Sequence, residues 1–420
     1  MFESPLTGLV LSGGGARAAY QVGVLRALVR LRRELLGPRA RLRNPFGVIC
    51  GTSAGAINAA ALAVHADRFE GAVDAIAKVW QDFTADQVYR SDSIGMLRSG
   101  ARWLTALSVG WLLARWRRAR PRSLLDNAPL AELLERLVPL ERLPNVFAQG
   151  QLHALAVTAS SYTSGEHYTF FTAADTVPPW ERSQRVAAHC RITHEHLLAS
   201  AAIPFVFPAQ QLTPDGETAW FGDGSMRNTA PISPAIHLGA QRLLIVGAGR
   251  MQEQPGRKVR NTGYPSLAQI AGHAMSSIFL DALAVDIERM RRINRTLALL
   301  PESALADTPL RPVEALVIAP SQRVDDIAAR HIANLPRPVR ALLRGAGVGG
   351  EGETARGAAL ASYLLFESPF TRELMALGES DTLERHDEVL QFFGWGQRDA
   401  RRGRQPDIDV TAAGLDVELP

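Results

Sequence analysis

The stretch Phe46-Gly47-Val48-Ile49-Cys50-Gly51-Thr52-Ser53-Ala54-Gly55 decides how this chain is read. A short apolar run ends in a Gly-x-Ser-x-Gly sequence, and a small-residue helical pattern follows. Strand, sharp turn and helix in that order make an elbow that holds its serine in a strained backbone conformation. Gly51 and Gly55 remove the Cβ atoms that would clash in such a turn. Ser53 is expected to project its hydroxyl above the sheet edge, at the N-terminus of the next helix.

A second turn lies upstream. Thr7-Gly8-Leu9-Val10-Leu11 reads as a buried strand and runs into Ser12-Gly13-Gly14-Gly15-Ala16-Arg17. Tyr20, Val24, Leu28, Leu31 and Leu35 then recur at helical spacing. Gly13, Gly14 and Gly15 between strand and helix leave several backbone N–H groups uncovered, a nest for an anion assisted by the helix dipole. A transient oxyanion of acyl transfer is one such anion; a phosphate is another. Gly13–Ala18 also matches G-x-G-x-x-A, the dinucleotide fingerprint. That fingerprint wants an acidic residue about 20 positions on, at the end of a second strand. Glu34 has the spacing but continues a helix, and the next strand ends in the serine turn. A dinucleotide-binding protein is therefore the lesser alternative.

The third piece is Trp220-Phe221-Gly222-Asp223-Gly224-Ser225. An Asp-Gly after an apolar run is ordinarily just a turn. Here it follows Ala199-Ser200-Ala201-Ala202-Ile203-Pro204-Phe205-Val206-Phe207-Pro208 and precedes Asn228-Thr229-Ala230-Pro231.

Taken in order, the glycine loop, the serine elbow, the Ala199–Pro208 segment and Asp223-Gly224-Ser225 resemble the patatin-like phospholipases, bacterial lipid acyl hydrolases. The resemblance covers residues 6–250 well and the rest, to about 395, in general pattern. It implies a Ser–Asp dyad with Ser53 as nucleophile and Asp223 as base. It further implies an oxyanion hole from the amides of Gly13, Gly14 and Gly15, with Arg17 supporting that loop. Ala18 and Ser225 stand where the family often has glycine, or glycine or alanine. Both are small, and they bear on how closely the loop and turn approach a substrate.

The chemistry is coherent on its own terms. A serine hydroxyl needs a neighbouring base. A carboxylate can serve directly if it is close and its pKa is raised by burial. A histidine-based triad is the internal competitor, since His237 and His273 follow Asp223 in the order Ser, Asp, His. Each reads instead as a packing or surface histidine on a helical segment. His189, His194, Glu195 and His196 lack H-E-x-x-H spacing, so no metal is expected, and no organic cofactor.

Strand-like runs at Gly8–Ser12, Phe46–Cys50, His153–Ala159, Leu243–Gly247 and Leu316–Ala319 alternate with helical segments. This predicts an α/β fold: a three-layer αβα sandwich with a mainly parallel central sheet. Of 420 residues 46% are apolar, enough for one large core, so residues 1–396 read as a single domain. Residues 397–420 are polar and charged, read as a disordered tail. Gly345–Glu353 reads as a flexible surface loop. Cys50 and Cys190 make no disulfide scaffold. No signal peptide is apparent, and no run approaches the about 20 apolar residues that span a bilayer. A cytoplasmic protein is the expectation.

One segment qualifies that expectation. Between Asp92 and Asp126 there is no acidic residue, while Trp103, Trp111 and Trp116 flank an apolar stretch and Arg115, Arg117 and Arg118 follow it. Such a pattern suits a helix lying among lipid headgroups. Each arginine near an anionic surface contributes about 1 kcal/mol. A helix packed on the domain is the alternative. The net charge of +4 is modest and no nucleic-acid module is visible, so nucleic acid is not an expected partner. The combined expectation is a serine lipid acyl hydrolase of (phospho)lipid esters, peripheral on the inner membrane face. A non-catalytic lipid-binding or scaffold protein of the same fold is the rival.

Overall fold

The computed structural model describes residues 5–40, 42–90, 123–174, 177–251, 264–349 and 357–395. Trp103, Trp111, Arg115, Trp116, Arg117 and Arg118 lie outside the described residues, as do the tail 397–420 and positions 350–353 of the glycine-rich loop.

In chain order the strands are β1 (Thr7–Leu11), β2 (Val48–Thr52), β3 (Ala154–Ser161), β4 (His167–Ala173), β5 (Glu181–Arg182), β6 (Arg185–His189), β7 (Gln210–Leu212), β8 (Ala219–Asp223), β9 (Arg242–Val246) and β10 (Glu314–Ile318). The helices that matter below are α1 (Ala19–Leu36), α2 (Ala54–Ala63), α3 (Phe69–Gln81), α4 (Ala128–Leu137), α5 (His194–Ser200), α6 (Leu267–Ser276), α7 (Ala282–Leu297), α8 (Val324–His331), α9 (Ala358–Leu364) and α10 (Ser368–Glu384). The sheet runs β10-β9-β1-β2-β3-β4-β6-β5, and its centre, β10 through β3, is parallel.

Alternate residues of the parallel strands face two separate cores, as the two-residue strand period requires. Leu9, Leu11, Ile49, Val157, Leu244 and Val246 pack with α1, α2, α3 and α10. Val10, Val48, Cys50, Ala156, Leu243 and Ile245 pack on the opposite face with Leu283, Ile287 and Met290 of α7. A sheet buried on both faces reads as unbroken apolar runs, which is why these strands stand out in the sequence. The three-layer αβα architecture is therefore as expected.

Three boundaries differ from expectation. The second strand continues past Cys50, because Gly51 and Thr52 still pair with Val157 and Thr158. Beyond β3 the sheet turns antiparallel through β4 and β8, a half that the sequence reading did not resolve. Finally, a π turn at Ser277–Asp281 fuses α6 and α7 into one helix, Leu267–Leu297, long and apolar enough by length and composition to cross a bilayer. Counting consecutive apolar residues misses it, because serine, histidine and glutamine are interspersed. Its stripe Leu283, Ile287 and Met290 is buried against the sheet, while Leu267, Ile270 and Val285 stand exposed.

One detail of register positions everything below. β2 occupies one edge of β3 only as far as Thr52↔Thr158. From Ala159↔Asp223 onward β8 takes over, running antiparallel to β3. The ends of β2 and β8 thus meet on neighbouring rungs of one strand.

Candidate active site

Ser53 is the single residue between β2 and α2. Its φ of 55° and ψ of −132° are strained for a residue with a Cβ, at a cost of order 1–3 kcal/mol that the surroundings must offset. A Cβ on Gly55 would strike the carbonyls of Leu11 and Ser12, and one on Gly51 would strike the Gly55 carbonyl and Ala56. Gly55 therefore lets the elbow press directly onto the end of β1, and Gly51 lets β2 turn tightly into α2. The Ser53 amide donates to Ser200 Oγ at 2.9 Å.

Asp223 closes the site from the end of β8. Ser53 Oγ donates to Asp223 Oδ2 at 2.6 Å, and Ser225 N donates to Oδ1 at 2.8 Å. The carboxyl is fully buried, and its own amide donates to Ala202 O at 3.0 Å. Burial pushes its pKa up to about 6, against the hydrogen bonds from Ser53 and Ser225, which pull it down. The shared edge of β3 explains how residues 170 positions apart meet.

The glycine loop forms the third side. Ser12 is tied to Val246 O through both its amide (3.2 Å) and its hydroxyl (3.1 Å). Gln21 Nε2 donates to Ser12 O at 2.7 Å. Among the described residues, the amides of Gly13 and Gly14 donate to no protein acceptor. A Cβ on Gly13 would stand 3.0 Å from Ser53 Cβ, so this loop faces the serine. Arg17, by contrast, turns away from the pair. Its guanidinium donates to Ser362 Oγ (2.8 Å), Asp325 Oδ1 (2.7 Å) and Ala359 O (3.3 Å), and lies 4.1 Å from the Tyr363 ring centroid. It clasps the loop to α8 and α9.

Ser53 and Gly15 border an apolar cavity of about 150 Å³. Ile57 and Ala61 of α2, Ile76 and Trp80 of α3, and Leu133 of α4 line it. The lining follows the ten residues of α2, about 15 Å at 1.5 Å per residue. A serine hydroxyl bonded to a buried carboxylate, two unclaimed amides and an apolar channel can together hold an acyl group against a nucleophile.

The competing residues lie elsewhere. His237 stacks on Trp180 at 4.7 Å and bonds to Ser233 O at 2.9 Å. His273 is exposed on α6. The side-chain bonds of Asp223 go to Ser53 and Ser225, not to either histidine. His194 and His196 are held locally, by Val138 O and by Thr193. Glu34 continues α1 and bonds Arg30. Sequence reasoning missed the parts of Ser200 and Ala202, which anchor the backbones of Ser53 and Asp223. They fall in the Ala199–Pro208 segment, singled out without a role.

Fold and site together define an α/β protein of the serine-elbow architecture. A model of patatin-like phospholipases matches residues 9–236, more than half of the sequence, and the chain belongs to that family. It is 28% identical over 230 residues to a cGAMP-activated phospholipase of Pseudomonas aeruginosa, an overlap of 54% of this chain and 55% of that protein. It thus spans about half the length of that curated relative. Among solved structures, human GIVD cytosolic phospholipase A2 aligns with a TM-score of 0.45 at 13% identity, over 94% of this chain and 60% of that one. VipD from Legionella pneumophila aligns with a TM-score of 0.34 at 14% identity, over 89% and 67%.

Proposed function

We propose that this protein is a serine lipid acyl hydrolase that cleaves fatty-acyl esters of (phospho)lipids through Ser53 and Asp223. The observation that carries the reading is the 2.6 Å bond from Ser53 Oγ to a buried Asp223, placed at the border of an apolar channel. In this mechanism Asp223 Oδ2 takes the Ser53 proton as Oγ attacks the ester carbonyl carbon. The carbonyl electron pair moves to oxygen, where the Gly13 and Gly14 amides receive the charge. Collapse expels the alcohol, protonated by Asp223, and leaves an acyl-Ser53 ester. Water, deprotonated by Asp223, then attacks that ester, and the fatty acid leaves with Ser53 restored. The acyl chain occupies the α2–α3–α4 channel, each buried methylene contributing about 0.8 kcal/mol.

A fluorophosphonate probe tests the nucleophile. Labelling is expected at Ser53, located by mass spectrometry of the labelled peptide, and is expected to vanish in Ser53→Ala. Label on another residue, or label surviving in Ser53→Ala, would remove the dyad.

We also propose that the Trp103–Arg118 run touches anionic membrane at the inner membrane face. Supporting this, the described residues around it are pinned beside the channel. Arg90 N donates to Asp126 O, and Leu124 N donates to Phe205 O, each at 2.9 Å; Val88 and Leu130 line the channel itself. Replacing Arg115, Arg117, Arg118 and Arg120 with glutamine is expected to weaken sedimentation with phosphatidylglycerol vesicles at least tenfold, with turnover of a soluble ester retained. Unchanged vesicle binding would discard the membrane contact.

A further inference from the structure

Ser225 follows Asp223-Gly224 on the short helical turn Gly224–Arg227. Its amide donates to the Asp223 carboxylate, and its hydroxyl lies near enough to help pull that carboxyl's pKa down. The residue is 6% exposed, and among the described residues its buried Oγ makes no hydrogen bond of full geometry, so its influence on Asp223 is a loose contact that leaves the donor open to a better acceptor. That oxygen lies against Gly13, where a Cβ would fall on it and would also stand 3.0 Å from Ser53 Cβ. Ser225 Oγ, the Gly13 backbone and Ser53 therefore converge on one small volume. Burying a donor without a partner carries a desolvation cost, and native proteins keep few such groups. An alanine would fill nearly the same space without that cost. The Gly13 amide beside it is likewise without a protein acceptor. Two unclaimed donors facing a nucleophile are completed together by one incoming acceptor.

We propose that the Ser225 hydroxyl is a third oxyanion donor, a catalytic residue that hydrogen-bonds the substrate carbonyl oxygen as it becomes negative beside Gly13. It rests on the Ser53–Asp223 reading and adds a side-chain donor to the backbone pair. Charge on that oxygen peaks in the tetrahedral intermediate, so the bond strengthens there and acts on kcat more than on KM.

The test is Ser225→Ala with a p-nitrophenyl ester as soluble substrate. The substitution removes one oxygen and keeps the backbone bond to Asp223. We expect kcat to fall roughly 10²-fold, the scale of a lost oxyanion donor, with KM within twofold and the loss persisting on the plateau above the acid limb of the pH profile. Fluorophosphonate labelling at Ser53 should slow by a similar factor, because the phosphonyl oxygen takes the same place. A kcat within threefold of wild type overturns the proposal. So does a loss of kcat that a displaced acid limb accounts for in full, which would assign the hydroxyl to Asp223 alone. Ser225→Gly removes the same oxygen and repeats the measurement if the alanine variant folds poorly. Ser53→Ala in the same assay separates the two readings. Background turnover there with wild-type turnover in Ser225→Ala sinks only the Ser225 assignment; turnover retained in Ser53→Ala sinks both.

Discussion

Asp223→Asn is expected to lower turnover of a lipid ester by roughly 10⁴-fold, the scale seen when a member of a serine–base pair is removed. The same substitution should make the fold more stable at neutral pH. The carboxyl has a pKa of about 3.9 in an unfolded chain and about 6 here, raised by burial. The native state therefore binds the proton more tightly. The stability linked to it is fully present below about pH 4 and is lost as pH rises through about 6. Holding the carboxylate ionised at pH 7 thus costs on the order of 3 kcal/mol. A neutral amide can keep both bonds, accepting from Ser225 N and donating to Ser53 Oγ. Urea unfolding should show Asp223→Asn more stable than wild type by about 2 kcal/mol at pH 7, with little difference at pH 4. On the proposed mechanism activity runs the other way, because only an ionised carboxylate can take the Ser53 proton. The wild-type kcat/KM should fall about tenfold for each pH unit below about 6. A variant that is inactive but no more stable would mean that burial does not strain this carboxylate; retained turnover would end its role as base.

The second large effect belongs to Arg17, through stability. Its residue is 2% exposed, and its guanidinium spans Ser362, Asp325, Ala359 and the Tyr363 ring. Arg17→Ala leaves Asp325 without its shortest ion pair and opens a gap under the glycine loop. Breaking a buried pair from one side costs about 3–5 kcal/mol, and a loss of about 3 kcal/mol in urea unfolding is expected, since Asp325 keeps some contact with water. Arg17→Lys should recover only a fraction, because an ammonium cannot reproduce the planar fork or its stacking on Tyr363. Esterase activity should drop as well, since the Gly13 and Gly14 amides hang from the same loop. A stability change under 1 kcal/mol would show that the clasp is not what holds the loop.

How much of this was readable in advance follows from which interactions are local. The parallel strands and α1 announce themselves, because a strand buried on both faces is a continuous apolar run and α1 keeps its helical period. Ser53 is readable because an elbow needs Gly51 and Gly55 within two residues of it. Asp223 is different: its own neighbourhood reads as an ordinary turn, and only resemblance picks it out. What gives it chemistry is pairing of β8 with the upper rungs of β3, a contact across the chain that no local pattern encodes. The same holds for Ser200, whose partner is 147 positions away, and for the Arg17 clasp. The channel was invisible for another reason. Ile57, Ile76 and Leu133 line space, yet in sequence they are indistinguishable from residues that fill it.

The Arg17 clasp also sets a timetable. Arg17 and Ser362 lie 345 residues apart, and Ser53 and Asp223 lie 170 apart. Chains leave the ribosome at about 5–20 residues per second. The elbow is therefore synthesised roughly 10–30 s before its carboxylate, and the glycine loop roughly 20–70 s before its anchor. Throughout that interval the nascent polypeptide holds a serine with no base and a loop with no brace. On the proposed Ser53–Asp223 reading, assembly of the braced site therefore waits until the chain has been made through Ser362.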